Sequence, residues 1–251
     1  MKLFHGWLSS ASRRVRLCLA EKGIAYESVP IDMSRQEHHA PAYLAMNPNG
    51  VVPALLLDDG RPLHESSTIC EYLDELQPVP PLRPADPYQR AVMRNFVRWT
   101  DEKSLPHLLI LNWSIALQPG ASQWSDAQLQ ERLDRIPTAE RRAAWIRIAR
   151  QPYSDEEKHT ALTQLLLLVD KMEQMLGGGP WLMGTDYSLA DIAAVPFIAR
   201  IAELAPDAFA DAPKVADWWQ RVQQRPAYAL ANIQRFDAAL QARQAEAARP
   251  A

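Results

Sequence analysis

The chain has only two cysteines in its 251 residues, Cys18 and Cys70. They form no CxxC pair and no histidine stands at metal-ligand spacing from either, which argues against a disulfide framework or a structural zinc site. Both read as buried thiols. Long apolar runs are also missing. None reaches the roughly 18 residues of a membrane-spanning helix, and Met1-Lys2-Leu3-Phe4-His5 lacks the basic region and apolar stretch of a signal peptide. A cytoplasmic location is therefore expected. Neither sign of charge is in excess, the formal net charge being -3, so no nucleic acid and no anionic membrane surface is expected as partner. A small molecule is. There is no internal repeat, and the one biased stretch is the Ala-rich polar tail after Leu240, expected to fray. What the chain does contain is 47% hydrophobic residues, enough for one large core or two smaller ones.

Residues 1–77 alternate between strand-like and helix-like patterns, whereas 88–251 read as helical throughout. Between them, residues 78–87 hold five prolines, which remove backbone donors and keep the chain extended, as befits a linker. In the first part Lys2 to His5 reads as a strand, Ser12 to Lys22 as a helix ended by Gly23, and Tyr26 to Ile31 as a second strand. A polar helical stretch follows, then a strand from Val52 to Leu57, the turn Asp58-Asp59-Gly60, a strand from Pro62 to His64 and a helix from Ser66 to Leu76. The predicted order is βαβαββα. In the second part Val92, Phe96 and Trp99 recur at helical spacing, and Leu162, Leu165, Leu166, Val169, Met172 and Leu176 mark the core face of a long helix. Ser188-Leu189-Ala190-Asp191 has the form of a capping box opening a buried helix, which Pro196 is expected to kink or to deprive of a backbone hydrogen bond, so that it comes as two pieces.

Three hydroxyls, Ser9, Ser10 and Ser12, fall where the first strand runs into the first helix. Free N–H groups and the positive end of the helix dipole favour an anion there. Capping accounts for one serine; three in four positions exceed that need. A suitable anion is a thiolate, because a thiol of pKa roughly 8.5 is only a few per cent ionised at pH 7. A serine nucleophile is disfavoured, since no GxSxG turn precedes the serines and no His/Asp pair stands at a characteristic spacing. Further on, Asn47-Pro48-Asn49-Gly50-Val51-Val52-Pro53-Ala54-Leu55 leads a turn into a strand whose first residue is proline. Pro53 reads either as a cis proline, with the Val52 backbone left for an extended peptide ligand, or as an edge-strand proline. Glu65-Ser66 opens a helix directly after a strand, so Ser66 either caps it or holds a carboxylate at its N-terminus.

Taken in order, the serine loop, the NPxGxVPAL segment, Glu65-Ser66, the helical Ser188 to Asp191 and Trp218-Trp219 before Arg225-Pro226 resemble the glutathione transferase superfamily over nearly the whole chain. That resemblance implies an α/β thioredoxin-like N-terminal domain, an all-α C-terminal domain and glutathione as cofactor. It places the cysteinyl part of glutathione on the Val52 backbone beside Pro53, the γ-glutamyl end on Glu65 and Ser66, and the glycyl carboxylate on His38 and His39. The stretch SSxSxRVR is similar to the zeta class and SxxSRRV to the phi class. Both make Ser9 the activating residue, with Ser10 and Ser12 as substitutes. The chain departs from the common pattern at Val51, where many members carry glutamine. From Thr68 to Glu102, and in a long insertion around Trp113 to Tyr153, it resembles the bacterial lignin β-aryl-ether-cleaving transferases. In that fold the insertion covers the substrate side, where Trp113, Trp124, Trp145 and Tyr153 serve either as an aromatic wall or as packing.

The resemblance thus implies thiolate attack of glutathione on a hydrophobic, aromatic electrophile, with ether cleavage or zeta-like isomerisation as alternative reactions and a non-catalytic glutathione-binding protein as the alternative of a different kind. It also implies a homodimer in which Asp101 reaches the partner's glutathione.

Overall fold

The computed structural model describes residues 1–238, 240 and 241; the Ala-rich tail beyond residue 241 lies outside the described residues. The first part of the chain contains β1 (Lys2–His5), α1 (Ser10–Lys22), β2 (Glu27–Pro30), a 3-10 turn (Glu37–His39), α2 (Pro41–Leu44), β3 (Ala54–Leu56), β4 (Pro62–His64) and α3 (Ser66–Leu76). The strands form one sheet in the order β2-β1-β3-β4. β1 runs parallel to β2 and antiparallel to β3, and β3 is antiparallel to β4. This is the thioredoxin-like arrangement expected from the sequence.

Local chemistry explains the boundaries. α1 starts two residues earlier than its apolar pattern indicates, because Ser9 caps it: its backbone is extended and its side chain accepts the Ser12 N–H. Gly23 ends the helix in the left-handed conformation at φ 62°, with its own N–H and that of Ile24 returning to Ala20 and Leu19. The second strand is shorter than expected. The polar stretch after it supplies only the 3-10 turn and the single turn of α2, the latter started by Pro41 at its first position.

From Pro87 on, the described elements are helical: α4 (Pro87–Trp99), a π-helical turn (Thr100–Ser104), α5 (Leu105–Ala116), α6 (Gln118–Ala121), α7 (Asp126–Asp134), α8 (Ala139–Arg150), α9 (Asp155–Met175), α10 (Leu189–Leu204), α11 (Pro213–Gln224) and α12 (Pro226–Leu230), with short 3-10 turns at Leu176–Gly178 and Pro206–Phe209. On α4 Phe96 is buried, Val92 and Trp99 are half-buried, and Met93 completes the buried stripe. On α9 Leu165, Val169 and Met172 are buried as expected, and so is Leu168, because this helix packs against both α5 and α11. Pro196 does not divide α10: it withholds one N–H from the ladder, yet Leu189–Leu204 is a single helix whose residues from Leu189 to Ile201 are all buried.

Two polar hubs fix the packing. Asp191, fully buried, accepts from the Leu182 and Ser188 N–H groups, the Ser188 hydroxyl and Trp218 Nε1 at 2.8 Å, and burial pushes its pKa up. Asp74 pairs with the buried Lys22 at 2.7 Å and with Arg83 at 2.6 Å, and it accepts the Leu82 N–H, whose residue's carbonyl in turn takes the Leu189 N–H. These bonds tie α1, α3, the proline-rich segment and α10 together. The main apolar core is continuous from the sheet through α1, α3 and α10. A second cluster, built on Leu129, Leu133, Ile136, Trp145 and Ile148, belongs to the insertion alone. Cys18 and Cys70 are free and buried in the main core. Among the described residues no helix is long and apolar enough to cross a membrane, and no cluster of side chains could hold a metal ion.

Candidate active site

A cleft of about 410 Å³ opens between the sheet domain and the helices. Ser9, Ser10, His38, His39, Val52, Pro53, Glu65, Ser66 and Asp101 all line it. Ser12 does not. It is fully buried, and its hydroxyl accepts the Gly6 N–H at 3.2 Å beneath the loop. The structure thus brings together every expected site residue except Ser12, which is too enclosed to meet a ligand.

Ser9 uses an oxygen lone pair to accept the Ser12 N–H at 3.2 Å, so its proton remains available to a group in the cleft. Ser10, the first residue of α1, has no hydrogen-bond partner for its hydroxyl among the described residues. The loop before them is anchored from below. Arg16 donates to the Gly6, Trp7 and Ala231 carbonyls, and Arg13 donates to those of Trp7 and Gln234. His5, beneath the same loop, is held down to about pKa 4 by burial and then by Arg16.

Facing the serines, the Val52–Pro53 bond is cis, and the Val52 N–H and C=O have no partner among the described residues. The loop behind is fixed because Tyr43 and Asn47 both donate to the Val51 carbonyl, at 2.6 and 2.8 Å. Gly50 sits at φ 59°, and a Cβ there would come within 2.9 Å of the His39 ring and 3.3 Å of Pro137. No other residue fits that turn without displacing both neighbours.

At one end of the cleft, Ser66 begins α3 and its hydroxyl accepts from Arg14 at 3.3 Å. Arg14 is buried and reaches Thr100 at 3.4 Å and Asp101 at 2.8 Å. The π-helical turn supplies both of those residues, and such turns recur at functional sites. Asp101 therefore lies on its own chain's cleft. Glu65, just before α3, holds a backbone at φ 67° and ψ 108° that non-glycine residues rarely adopt. At the other end, His38 and His39 place their rings 3.9 Å apart, with neither Nδ1 partnered. Burial lowers His38 to about pKa 3, with His39 and Arg141 adding to it; burial and Arg141 lower His39 to about 4. Both imidazoles are neutral at pH 7 and offer N–H donors without charge.

The helical wall is mostly apolar, with Leu105, Leu109, Leu117, Phe197 and Phe236 on the cleft. Asn112 is its polar member, oriented by Arg200 at 3.0 Å. Of the four insertion aromatics, Trp113 and Trp145 line the cleft. Trp124 stacks behind Trp145 at 5.6 Å and under Arg132, and Tyr153 packs under Arg147, so for these two the packing reading holds. Sequence reasoning missed Arg14 and Arg141. Arg14 had a signal: it follows Ser10 by one helical turn and so shares its face. Arg141 had none, because only the tertiary fold carries α8 to the cleft.

An unpaired backbone amide and carbonyl in mid-cleft, a helix N-terminus at one end and neutral N–H donors at the other suit an extended peptide with a carboxylate at each end. Glutathione has that shape, so the residues fit the cofactor that the resemblance implies. Comparison with known proteins agrees. Residues 8–76 match the family Glutathione S-transferase, N-terminal domain, and residues 138–226 match Glutathione S-transferase, C-terminal domain. The chain is 32% identical to LigF of Sphingobium sp. strain SYK-6 over 90% of its own length and 91% of that protein. It superposes on the crystal structure of that β-etherase with a TM-score of 0.83, over 92% and 97% of the two chains. It is 34% identical to the maleylacetoacetate isomerase of Pseudomonas aeruginosa over 86% of this chain and 90% of the other. A maleylacetoacetate isomerase from Methylobacterium extorquens AM1, solved with malonate and glutathione bound, is 28% identical with a TM-score of 0.66 over 94% and 97%. The non-catalytic alternative falls away with these relatives, which are enzymes. This chain belongs to the glutathione S-transferase superfamily and is an enzyme whose cofactor is glutathione.

Proposed function

We propose that Ser9 activates glutathione for attack on a hydrophobic aromatic electrophile. The observation that carries this reading is the double role of the Ser9 hydroxyl: it accepts the Ser12 N–H at the helix start while its proton stays free for the cleft. Bound glutathione supplies the sulfur nucleophile. Ser9 donates to that sulfur, and the N-terminus of α1 adds its partial positive charge. Together they stabilise the ionised form; a pKa lowered by about two units corresponds to roughly 2.7 kcal/mol. The Val52 backbone orients the cysteinyl part, and Glu65 and Ser66 hold the γ-glutamyl end.

Among the possible reactions, cleavage of an aryl ether has the most specific support, namely the likeness to the β-etherase over nine-tenths of the chain. In that reaction a C–S bond forms as the C–O bond breaks, and the electron pair leaves with the phenolate oxygen. Trp113 and the leucine wall suit the aromatic ring. Isomerisation of the maleylacetoacetate isomerase kind is the second reading, supported by 34% identity. A homodimer and a cytoplasmic location complete the proposal. The first draws support from exposed Leu76, Val79 and Tyr88, the second from two thiols left unbridged. Elution as a monomer from gel filtration at micromolar concentration removes the dimer.

The test of serine activation is the ultraviolet absorbance of the thiolate in glutathione-saturated protein, titrated with pH. Wild type and Ser12→Ala should ionise well below free glutathione, and Ser9→Ala should revert toward it with turnover down about 100-fold. An unchanged titration in Ser9→Ala refutes the role given to Ser9.

A further inference from the structure

Two arginines line the cleft, and they differ in one respect. Arg14 is neutralised by Asp101 at 2.8 Å. Arg141, on α8 of the insertion, has no hydrogen bond or ion pair from its guanidinium among the described residues; only its backbone N–H is used, by Thr138. The other arginines of the insertion all have partners. Arg132 lies over Trp124, Arg135 pairs with Glu131, Arg142 donates to the Ile136 carbonyl, Arg147 pairs with Glu157 and Arg150 with Asp126. Arg141 is half-buried, and burial holds its pKa below the ordinary value, with Glu140 and Glu65 opposing. A desolvated cation without a counter-ion is costly, and an arriving anion removes that cost.

Its position says which anion. Arg141 lies close enough to the histidine end of the cleft to depress His38 and His39, with Glu65 also within its electrostatic reach, whereas Arg14 is held at the start of α3 by Ser66. The two imidazoles are neutral, so Arg141 is the only net positive side chain among the cleft residues at that end. The insertion is also seated there. The Arg132 guanidinium donates to the Ser34 carbonyl and its backbone carbonyl accepts from the Gln36 amide, both at 3.5 Å, and Pro137 abuts the Gly50 turn. We propose that Arg141 binds the glycyl carboxylate of glutathione, so that the tripeptide is clasped between the sheet domain and the insertion of one chain. This assignment rests on the placement of glutathione along Val52 given above.

The test compares glutathione with γ-glutamylcysteine, which lacks the glycine, by calorimetric titration of the full-length protein. Arg141→Gln should weaken glutathione roughly 10- to 100-fold, the range of a charge-assisted hydrogen bond, and γ-glutamylcysteine less than about 3-fold. Arg141→Lys should recover part of the loss. Equal weakening of both thiols, or of neither, overturns the assignment. So does a defect confined to the KM of a carboxylate-bearing aryl ether, which would give Arg141 to the electrophile. A wild-type protein that binds both thiols equally well removes the glycyl contact while leaving the Val52 placement standing. One that binds neither overturns the placement itself.

Discussion

Arg14 and Asp101 meet at 2.8 Å across the boundary between the sheet domain and the helices, with the arginine side chain 4% exposed and the aspartate 33%. The pair holds the π-helical turn against the first helix and, through the bond from Arg14 to Ser66, fixes the start of α3.

Asp101→Asn should therefore destabilise the protein by about 2 kcal/mol, less than the loss of a fully enclosed partner because Asp101 is partly solvated. Urea unfolding monitored by tryptophan fluorescence measures it. A midpoint equal to that of wild type means the pair contributes nothing net.

Glu65 supports a second expectation, because its left-handed φ of 67° costs a non-glycine residue about 1 kcal/mol or more. Glu65→Ala keeps that cost and Glu65→Gly removes it. On the proposed contact with the γ-glutamyl end, both variants should lose glutathione affinity alike, while the glycine variant unfolds at higher urea by about 1 kcal/mol. The reverse order of stability would show that the conformation is not strained.

Acid should destabilise the fold through its buried histidines. His5, His38 and His39 lie at about pKa 4, 3 and 4 against an ordinary 6.5. As pH falls below 6.5 the unfolded chain takes up protons that the folded chain refuses, so stability present at pH 7 declines toward pH 4. Each histidine contributes at most about 1.4 kcal/mol per pH unit. Urea midpoints across that range test this, and His38→Asn should flatten the profile. A flat profile in wild type means the three rings take up protons as readily in the fold as in the unfolded chain.

How much of this was legible beforehand depended on distance along the chain. Gly23, Ser66 to Leu76 and the Ser188 to Asp191 capping box could be read because each signal is local: a residue that tolerates φ above zero, a strand running straight into a helix, a side chain answering an N–H three residues away. The serine loop was legible as a capped helix start for the same reason. Ser12 was assigned wrongly because spacing cannot tell a hydroxyl above a loop from one beneath it; burial against Gly6 decides that. Pro196 failed as a helix breaker because apolar packing on every side outweighs one missing hydrogen bond. Arg141 and the Lys22–Asp74 pair were invisible, since the cleft that Arg141 lines and the lysine that Asp74 meets belong to distant parts of the chain that only the assembled fold brings near.

The insertion's private core has a further consequence. Trp145, Leu129, Leu133, Ile136 and Ile148 bury one another rather than the residues of the main core, so this lobe can loosen while the main core stays packed. Regional openings of that kind proceed at free energies below global unfolding. Amide exchange over α7 and α8 is then expected to outpace that of α10, giving the enzyme a roof that yields while its foundations stay shut.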